Sequence, residues 1–328
     1  MKLRNFIAFA VAAAVTTGLV YAQQKAAPAK PEAKKEAPKF DPNKVLAKIG
    51  DKAITAGEIK RAADNFLAAN KARMGGVEPT PQQIESMREG ILGQKIQQEL
   101  MRLYVKDQKI VPTKEEIATA KAEVTKSADQ LGMKLEDFMK AADMDKDAFY
   151  QLAALKKLMA QAASEKKIDE IIKNHPEYFN GSTVDAEHLL IMSSPVASTK
   201  DQKKVLAEIT KIKKDIDSGK ITWADAVKKY SKCPSSKNGG KLGSFEFFSM
   251  VIPFSKAAFA AKVGDIVGPV RTEFGYHLIK VTGKKDGTVK FDAKNPKLRA
   301  AAKAVIENAI MSKIFAQVMD KYPLVLNK

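Results

Sequence analysis

Apolar residues along this chain change their spacing three times, and the changes divide it. VLAKIGDKAIT, residues 45–55, is two short alternating runs around a Gly-Asp turn and predicts two small strands. From there to about Lys173 the spacing becomes three and four. Thr55-Ala-Gly-Glu58 and Thr113-Lys-Glu-Glu116 have the capping-box pattern, a hydroxyl at the cap and a carboxylate three residues on. Thr80-Pro81-Gln82-Gln83 is a further start signal, with Pro at the first helical position. Ile84, Met87, Ile91, Leu92, Ile96, Leu100, Leu103 and Tyr104 then predict one long amphipathic helix. A third helix follows Thr113 and a short fourth begins at Leu135. Asp145 caps a fifth, which carries Phe149, Leu152, Leu155, Leu158 and Met159.

His175-Pro176 and Asn180-Gly181 break this pattern, and the next hundred or so residues mix strand and helix, a normal domain size. Val184–Met192 reads as a strand. Residues 200–218 read as a helix with Val205, Leu206, Ile209, Ile212 and Ile216 on its inner face, closed by Gly219. Thr222 to Asp225 caps a short helix to Tyr230, residues 253–261 form another, and 266–270 and 276–281 are strands. Residues 295–322 return to helix with a wide stripe of Val305, Ile306, Ile310, Ile314, Phe315, Val318 and Met319. So wide a stripe needs a groove. The α+β unit closes without it, so this helix is expected to dock on the N-terminal helices, leaving one discontinuous domain with the other inserted.

The ends add a destination. Lys2 and Arg4, an apolar run from Phe6 to Val20 and a small residue at Ala22 have the layout of a signal peptide, residues 1–22. The run is too short for the usual membrane span. Residues 23–43, rich in Ala, Lys, Pro and Glu, cannot bury enough surface to order themselves and read as a linker. The mature chain is therefore expected to be soluble and extracytoplasmic, most simply in a periplasm. The single cysteine excludes an internal disulfide framework. The formal charge of +18 remains strongly positive after the signal peptide is removed. Nucleic acid is not the expected partner, because no basic stripe with interleaved aromatics and no docking motif is present. Acidic clients or an anionic envelope surface fit an exported chain better, and a solvated lysine-rich surface explains the same charge.

Candidate chemistry gathers in SKCPSSKNGGKLGSFEFF, residues 231–248. Gly240-Lys241 is followed by Leu242 and has no glycine at the upstream position a phosphate-binding loop requires. A Cys-His hydrolase would draw on one cysteine and three histidines, but none of its sequence neighbourhoods is present. Cys233, His188 and His277 are metal-ligating types, yet they sit on separate elements without ligand spacing. Leu242, Met250 and Phe254 read by default as core, and inward strand histidines as satisfied core residues.

Taken together, AEHLLI, WADAVKKYSKCPSSKNGGKLGSF and MVIPFSKAAFAAKVGDIVGPVRTEFGYHLIKV closely resemble the parvulin family of peptidyl-prolyl cis/trans isomerases. The resemblance covers residues 183–284. The signal peptide, helical N-terminal region and returning C-terminal helix resemble the exported SurA/PrsA-type foldases. The resemblance implies an α+β parvulin domain, 183–284, inserted in a mainly helical chaperone domain formed by 44–175 and 290–328. It implies a proline pocket of Leu242, Met250 and Phe254, and a catalytic set of His188, Cys233, His277 and Thr272. No cofactor or metal is implied. Cys233 is read as a polar neighbour of the twisting amide, not as an acylated nucleophile. The implied function is to bind unfolded exported chains and isomerise their X-Pro bonds, as monomer or homodimer. The alternative is a holdase whose parvulin domain only grips peptides, and a third class is a surface-binding protein using its positive charge. Two departures stand out. The basic cluster of phosphate-directed relatives is missing after His188, and Phe248-Ser249 replaces the Gly-Gln common before the methionine.

Overall fold

A computed structural model describes residues 40–70, 78–145, 147–194 and 196–327. The signal peptide and most of the linker expected from the sequence lie outside the described residues. Among the described residues no helix is long and apolar enough to cross a membrane. The chain forms two compact units.

The first unit takes its described residues from Met1–Met159 and Gln317–Lys328. Strands β1 (Val45–Ile49) and β2 (Lys52–Thr55) pair antiparallel as the alternation predicts. A short strand that the sequence reading missed, β7 (Leu324–Leu326), pairs on the other side of β1, giving the order β2-β1-β7. Five helices follow β2: α1 (Ala56–Asn70), α2 (Pro81–Asp107), α3 (Lys114–Gln130), α4 (Leu135–Ala141) and α5 (Ala148–Ala162). Their start signals are realised atom by atom. At the first, Thr55 N–H donates to Glu58 at 2.8 Å and Glu58 N–H donates back to Thr55 Oγ1 at 3.2 Å. Thr80–Gln83 and Thr113–Glu116 close equivalent boxes. The chain's last residues return to this unit: Tyr322 donates its hydroxyl proton to Asp107 at 2.8 Å, and Lys321 pairs with the same carboxylate.

The second unit is Ala160–Ala316. Its antiparallel sheet runs β4-β3-β6-β5, with β3 (Thr183–Met192), β4 (Lys241–Glu246), β5 (Ile266–Thr272) and β6 (Gly275–Lys285). Side chains alternate across it. Leu189, Ile191, Tyr276 and Leu278 meet α7 (Thr199–Asp217) and α8 (Trp223–Tyr230) on one face. Val184, Ala186, Phe245, Ile279 and Val281 meet α9 (Ile252–Ala260) on the other. Two expectations change here. Leu206, assigned to the inner face of its helix, is 40% exposed, while Ile209 and Ile212 are buried. The glycine-rich stretch, read as loop, contains strand β4.

The expected boundaries at 175 and 290 are not where the units divide. Helix α6 (Glu165–Asn174) and the adjoining 3-10 turn Pro176–Tyr178 pack with the sheet, as does the start of α10 (Pro296–Lys321). Tyr178 and Val305 lie in the same apolar cluster as Phe247 and Phe259. Ala302 packs on Ile168 and Ile172, and Arg299 pairs with Asp169 at 2.7 Å and with Glu165. The stripe on the last helix is therefore split: its early residues serve the second unit, and residues from Gln317 serve the first.

Candidate functional site

The two sheet histidines meet because of register. In the β3–β6 ladder His188 stands opposite Ile279 and His277 opposite Leu190, so the histidines are diagonal neighbours. Alternation puts both on the α9 face, where their Nδ1 atoms lie 3.2 Å apart and the rings stack 5.4 Å between centroids. Thr272, two residues beyond the β5 position that faces His277, reaches the outer nitrogen of that ring: Oγ1 to Nε2 is 2.8 Å. Ser235 Oγ lies 3.1 Å from His188 Nε2. The result is an unbroken chain, Ser235–His188–His277–Thr272, in which every ring nitrogen has a partner.

Both rings are buried, and burial lowers both pKa values. For His277, burial with the neighbouring His188 brings the value down to about 4. At neutral pH each imidazole is thus uncharged and carries one proton. Two bare Nδ1 lone pairs would repel at 3.2 Å, so one proton sits between them. The Thr272 oxygen also accepts the Phe274 N–H at 3.1 Å, and it keeps a proton and a second lone pair for His277 Nε2. Two senses satisfy the chain, with the protons directed from Thr272 towards Ser235 or from Ser235 towards Thr272.

The loop before β4 carries Ser235 and Cys233, and it is tied to the edge of β3. Lys232 N–H donates to the Leu190 carbonyl at 2.8 Å and the Leu190 N–H donates to Ser231 Oγ at 3.2 Å. His188 N–H donates to the Gly240 carbonyl at 2.8 Å. Pro234–Asn238 is a 3-10 turn ended by Gly239 in the left-handed conformation. At Gly240 a Cβ would lie 2.4 Å from the His188 carbonyl oxygen, so only glycine fits there. Cys233 is half-buried and free. The histidine nitrogens are all engaged by each other, Ser235 and Thr272.

Phe254, from α9, sets its ring edge-on to both imidazoles, 5.8 Å from His188 and 5.4 Å from His277. Leu242 from β4 and Met250 pack half-buried on the same apolar cluster. The structure thus gathers His188, His277, Thr272, Leu242, Met250 and Phe254 on the α9 side of the sheet, with Cys233 on the loop that also holds Ser235. Ser235 is the member that sequence reasoning missed. The available signal was a hydroxyl two residues after Cys233, at the spacing with which a Pro-initiated 3-10 turn folds back. The Phe248-Ser249 departure is absorbed by local aromatics. Phe247 is buried and stacks on Tyr178 at 3.6 Å, while Phe248 stays 42% exposed and leans on Phe179 at 5.8 Å. Among the described residues, no group of three or more His, Cys, Asp or Glu could hold a metal ion.

Comparison with known proteins gives two family matches. Residues 188–283 match the family described as Rotamase, PPIC-type PPIASE domain, and residues 8–151 match that described as SurA-like N-terminal domain. The chain is 38% identical over 116 residues to the peptidyl-prolyl cis-trans isomerase Pin1 of Malus domestica, covering 31% of this chain and 96% of that one. It is 34% identical over 192 residues to the Campylobacter jejuni protein Cbf2, 56% of this chain and 64% of the relative. It is also 34% identical over 155 residues to the Foldase protein PrsA of a Geobacillus strain, 44% of this chain and 51% of the relative. The chain therefore spans less than two thirds of the length of these last two relatives.

Proposed function

The chain belongs to the parvulin-type, or PPIC-type, family of peptidyl-prolyl isomerases, and on that premise we propose that it speeds cis/trans exchange of X-Pro bonds in unfolded exported proteins. The observation that carries the reading is the neutral Ser235–His188–His277–Thr272 chain lying beneath Phe254.

Rotation about a peptide C–N bond is opposed by about 18–20 kcal/mol of resonance. For X-Pro the isomers are close in energy but exchange slowly. Twisting withdraws the nitrogen lone pair from the carbonyl and shrinks the amide dipole. An apolar surface therefore favours the twisted form over the planar one, which is the differential binding that catalysis requires. Leu242, Met250 and Phe254 supply that surface for the proline ring. The histidine pair, uncharged and fully hydrogen-bonded, holds Phe254 from below without placing a charge beside the apolar floor. Cys233 offers a polarisable, half-exposed group to the amide and has no base to make it a nucleophile. No covalent bond forms, so no cofactor enters the reaction.

The SurA-like N-terminal match supports a chaperone role for the first unit, gripping unfolded segments. The basic and apolar sequence at residues 1–22 supports export, and the excess positive charge supports contact with acidic clients or anionic envelope surfaces.

Exchange spectroscopy or a protease-coupled assay on a proline peptide tests the reaction. Wild-type protein should accelerate exchange, and Met250→Ala or Phe254→Ala should lower kcat/KM by roughly ten- to a hundredfold, the loss expected when a large apolar contact is removed. A wild-type rate equal to the uncatalysed one sinks the isomerase reading. If the full chain showed no isomerase activity and a chain lacking 183–284 still suppressed client aggregation, the holdase alternative would take its place.

A further inference from the structure

The chain holds two Asn-Gly pairs, Asn180-Gly181 and Asn238-Gly239, in opposite surroundings. In such a pair the glycine has no Cβ to keep its backbone nitrogen away from the asparagine side-chain carbonyl carbon. Attack there needs a free side chain, a loosely held glycine N–H and room to move. Asn180 is pinned. Its Oδ1 accepts from Ser182 N–H at 3.0 Å and from Ser182 Oγ at 2.7 Å, and its Nδ2 donates to the Gly287 carbonyl at 3.1 Å. Its own carbonyl accepts the Val289 N–H at 3.0 Å, and Val289 closes over Gly181, where a Cβ would lie 3.1 Å from Cγ2.

Asn238 is exposed, and among the described residues its side chain has no hydrogen bond. Gly239 N–H donates to the Ser236 carbonyl across a long 3.3 Å, and a Cβ at Gly239 would meet nothing within 4 Å. Lys237 and Lys241, both exposed, flank the pair, and their charges favour the amide anion that must attack. The same turn holds the site. Gly240 N–H donates to the Ser235 carbonyl at 2.9 Å and the Gly240 carbonyl takes the His188 N–H at 2.8 Å, while Ser235 Oγ lies 3.1 Å from His188 Nε2. Asn238 sits inside the turn that the Gly240–Ser235 bond closes.

We propose that Asn238 is a self-modification site, which deamidates to aspartate and isoaspartate and, in the isoaspartate form, loosens the loop carrying Ser235. The Gly239 nitrogen, its proton lost to solvent, bonds to Asn238 Cγ, and the amide nitrogen leaves as ammonia to give a cyclic imide. Water then opens the imide. Opening at Cγ gives aspartate, and opening at the backbone carbonyl carbon gives isoaspartate, whose main chain runs through Cβ and Cγ. The net reaction consumes one water and releases one ammonia, with no oxidant or reductant. The added main-chain carbon falls between Ser235 and Gly240, so the bond closing the turn loses its register. The consequence for activity rests on the isomerase reading, and the modification does not.

The test stores the full chain in mildly alkaline buffer with a thiol reductant, with and without urea, and maps isoaspartate by digestion and mass spectrometry. In the folded chain, modification at Asn238 should outrun that at Asn180 by about tenfold or more, because the hydrogen bonds on the Asn180 amide must open first. In urea the two rates should agree within about threefold, since neither pair is held. Isomerase kcat/KM should fall in step with isoaspartate at 238. Asn238→Gln, whose longer side chain closes the ring slowly, should start with wild-type activity and keep it through storage. Equal rates at the two pairs in the folded chain, full activity in chains carrying isoaspartate at 238, or undiminished activity loss in Asn238→Gln overturns the proposal. If fresh protein isomerises no peptide, the isomerase reading fails separately, and the NMR signals of the His188 ring decide the loop. A shift that grows with isoaspartate at 238 sustains the proposal, and an unmoved signal overturns it.

Discussion

At the residue scale the histidine pair makes the protein's stability depend on pH in one direction. An unfolded histidine titrates near 6.5, whereas folded His277 titrates at about 4, because burial and the adjacent His188 oppose its charge. Between those values the unfolded chain binds a proton that the folded one refuses. Stability from this residue is therefore complete above about pH 6.5 and is lost as pH falls towards 4, by on the order of 3 kcal/mol in all. His277→Asn removes the titration. Urea midpoints at several pH values between 7 and 4 should show a shallower acid decline for the variant than for the wild type. Parallel declines would mean that His277 is not held neutral. The same neutrality explains why Ser235 matters. With no charge to steer the ring protons, only the partners at the two ends of the chain, Ser235 and Thr272, set which nitrogens carry them.

At the scale of elements, the site depends on the Cys233 loop continuing the edge of the sheet where β4 stops. Gly240 joins the two, with φ of 79° and the His188 carbonyl oxygen 2.4 Å from where a Cβ would be. Gly240→Ala must therefore push the loop off β3, at a cost of about 2–4 kcal/mol for the strained backbone and the displaced hydrogen bond. A urea midpoint shift, with isomerase loss larger than in Gly239→Ala, would be the expected result, since a Cβ at Gly239 meets nothing. Equal effects at the two glycines would contradict it. This junction also shows what could be read from sequence. The capping boxes at Thr55, Thr80 and Thr113 were legible because each is decided by four consecutive residues. His188, His277 and Thr272 were legible only through family resemblance, since their meeting depends on strand register that spans 89 residues between the two histidines. Strand β4 was missed because its glycine and polar residues hide the alternation, and Ser235 because its partner lies 47 residues away. Leu206 was misplaced because an apolar residue next to Val205 can sit at the margin of a helical face without entering the core.

At the scale of the whole chain, the extent of the second unit decides what can stand alone. Sequence resemblance ends near residues 183 and 284, yet the apolar cluster on the α9 face includes Tyr178 before that span and Val305 after it. Tyr178 stacks on Phe247 at 3.6 Å and meets Phe259 edge-on at 6.2 Å, and its burial raises its own pKa to about 12. Cutting at 183 and 284 uncovers Phe247 and Phe259 and removes Ile168, Ile172 and Ala302, which form the adjoining cluster. Losing a buried aromatic and an aliphatic from one core costs about 3–5 and 2–3 kcal/mol respectively when each is removed alone. A fragment 183–284 should therefore unfold at clearly lower urea than a fragment 165–316, by several kcal/mol in extrapolated stability, while both keep the histidine chain and the proline pocket. Isomerase activity measured well below both midpoints should be similar in the two, because no residue of the site lies outside 183–284. Equal urea midpoints would show that α6 and the start of α10 are passengers. A large activity difference under folding conditions would show instead that these flanking helices set the geometry of the pocket through Tyr178 and Phe247.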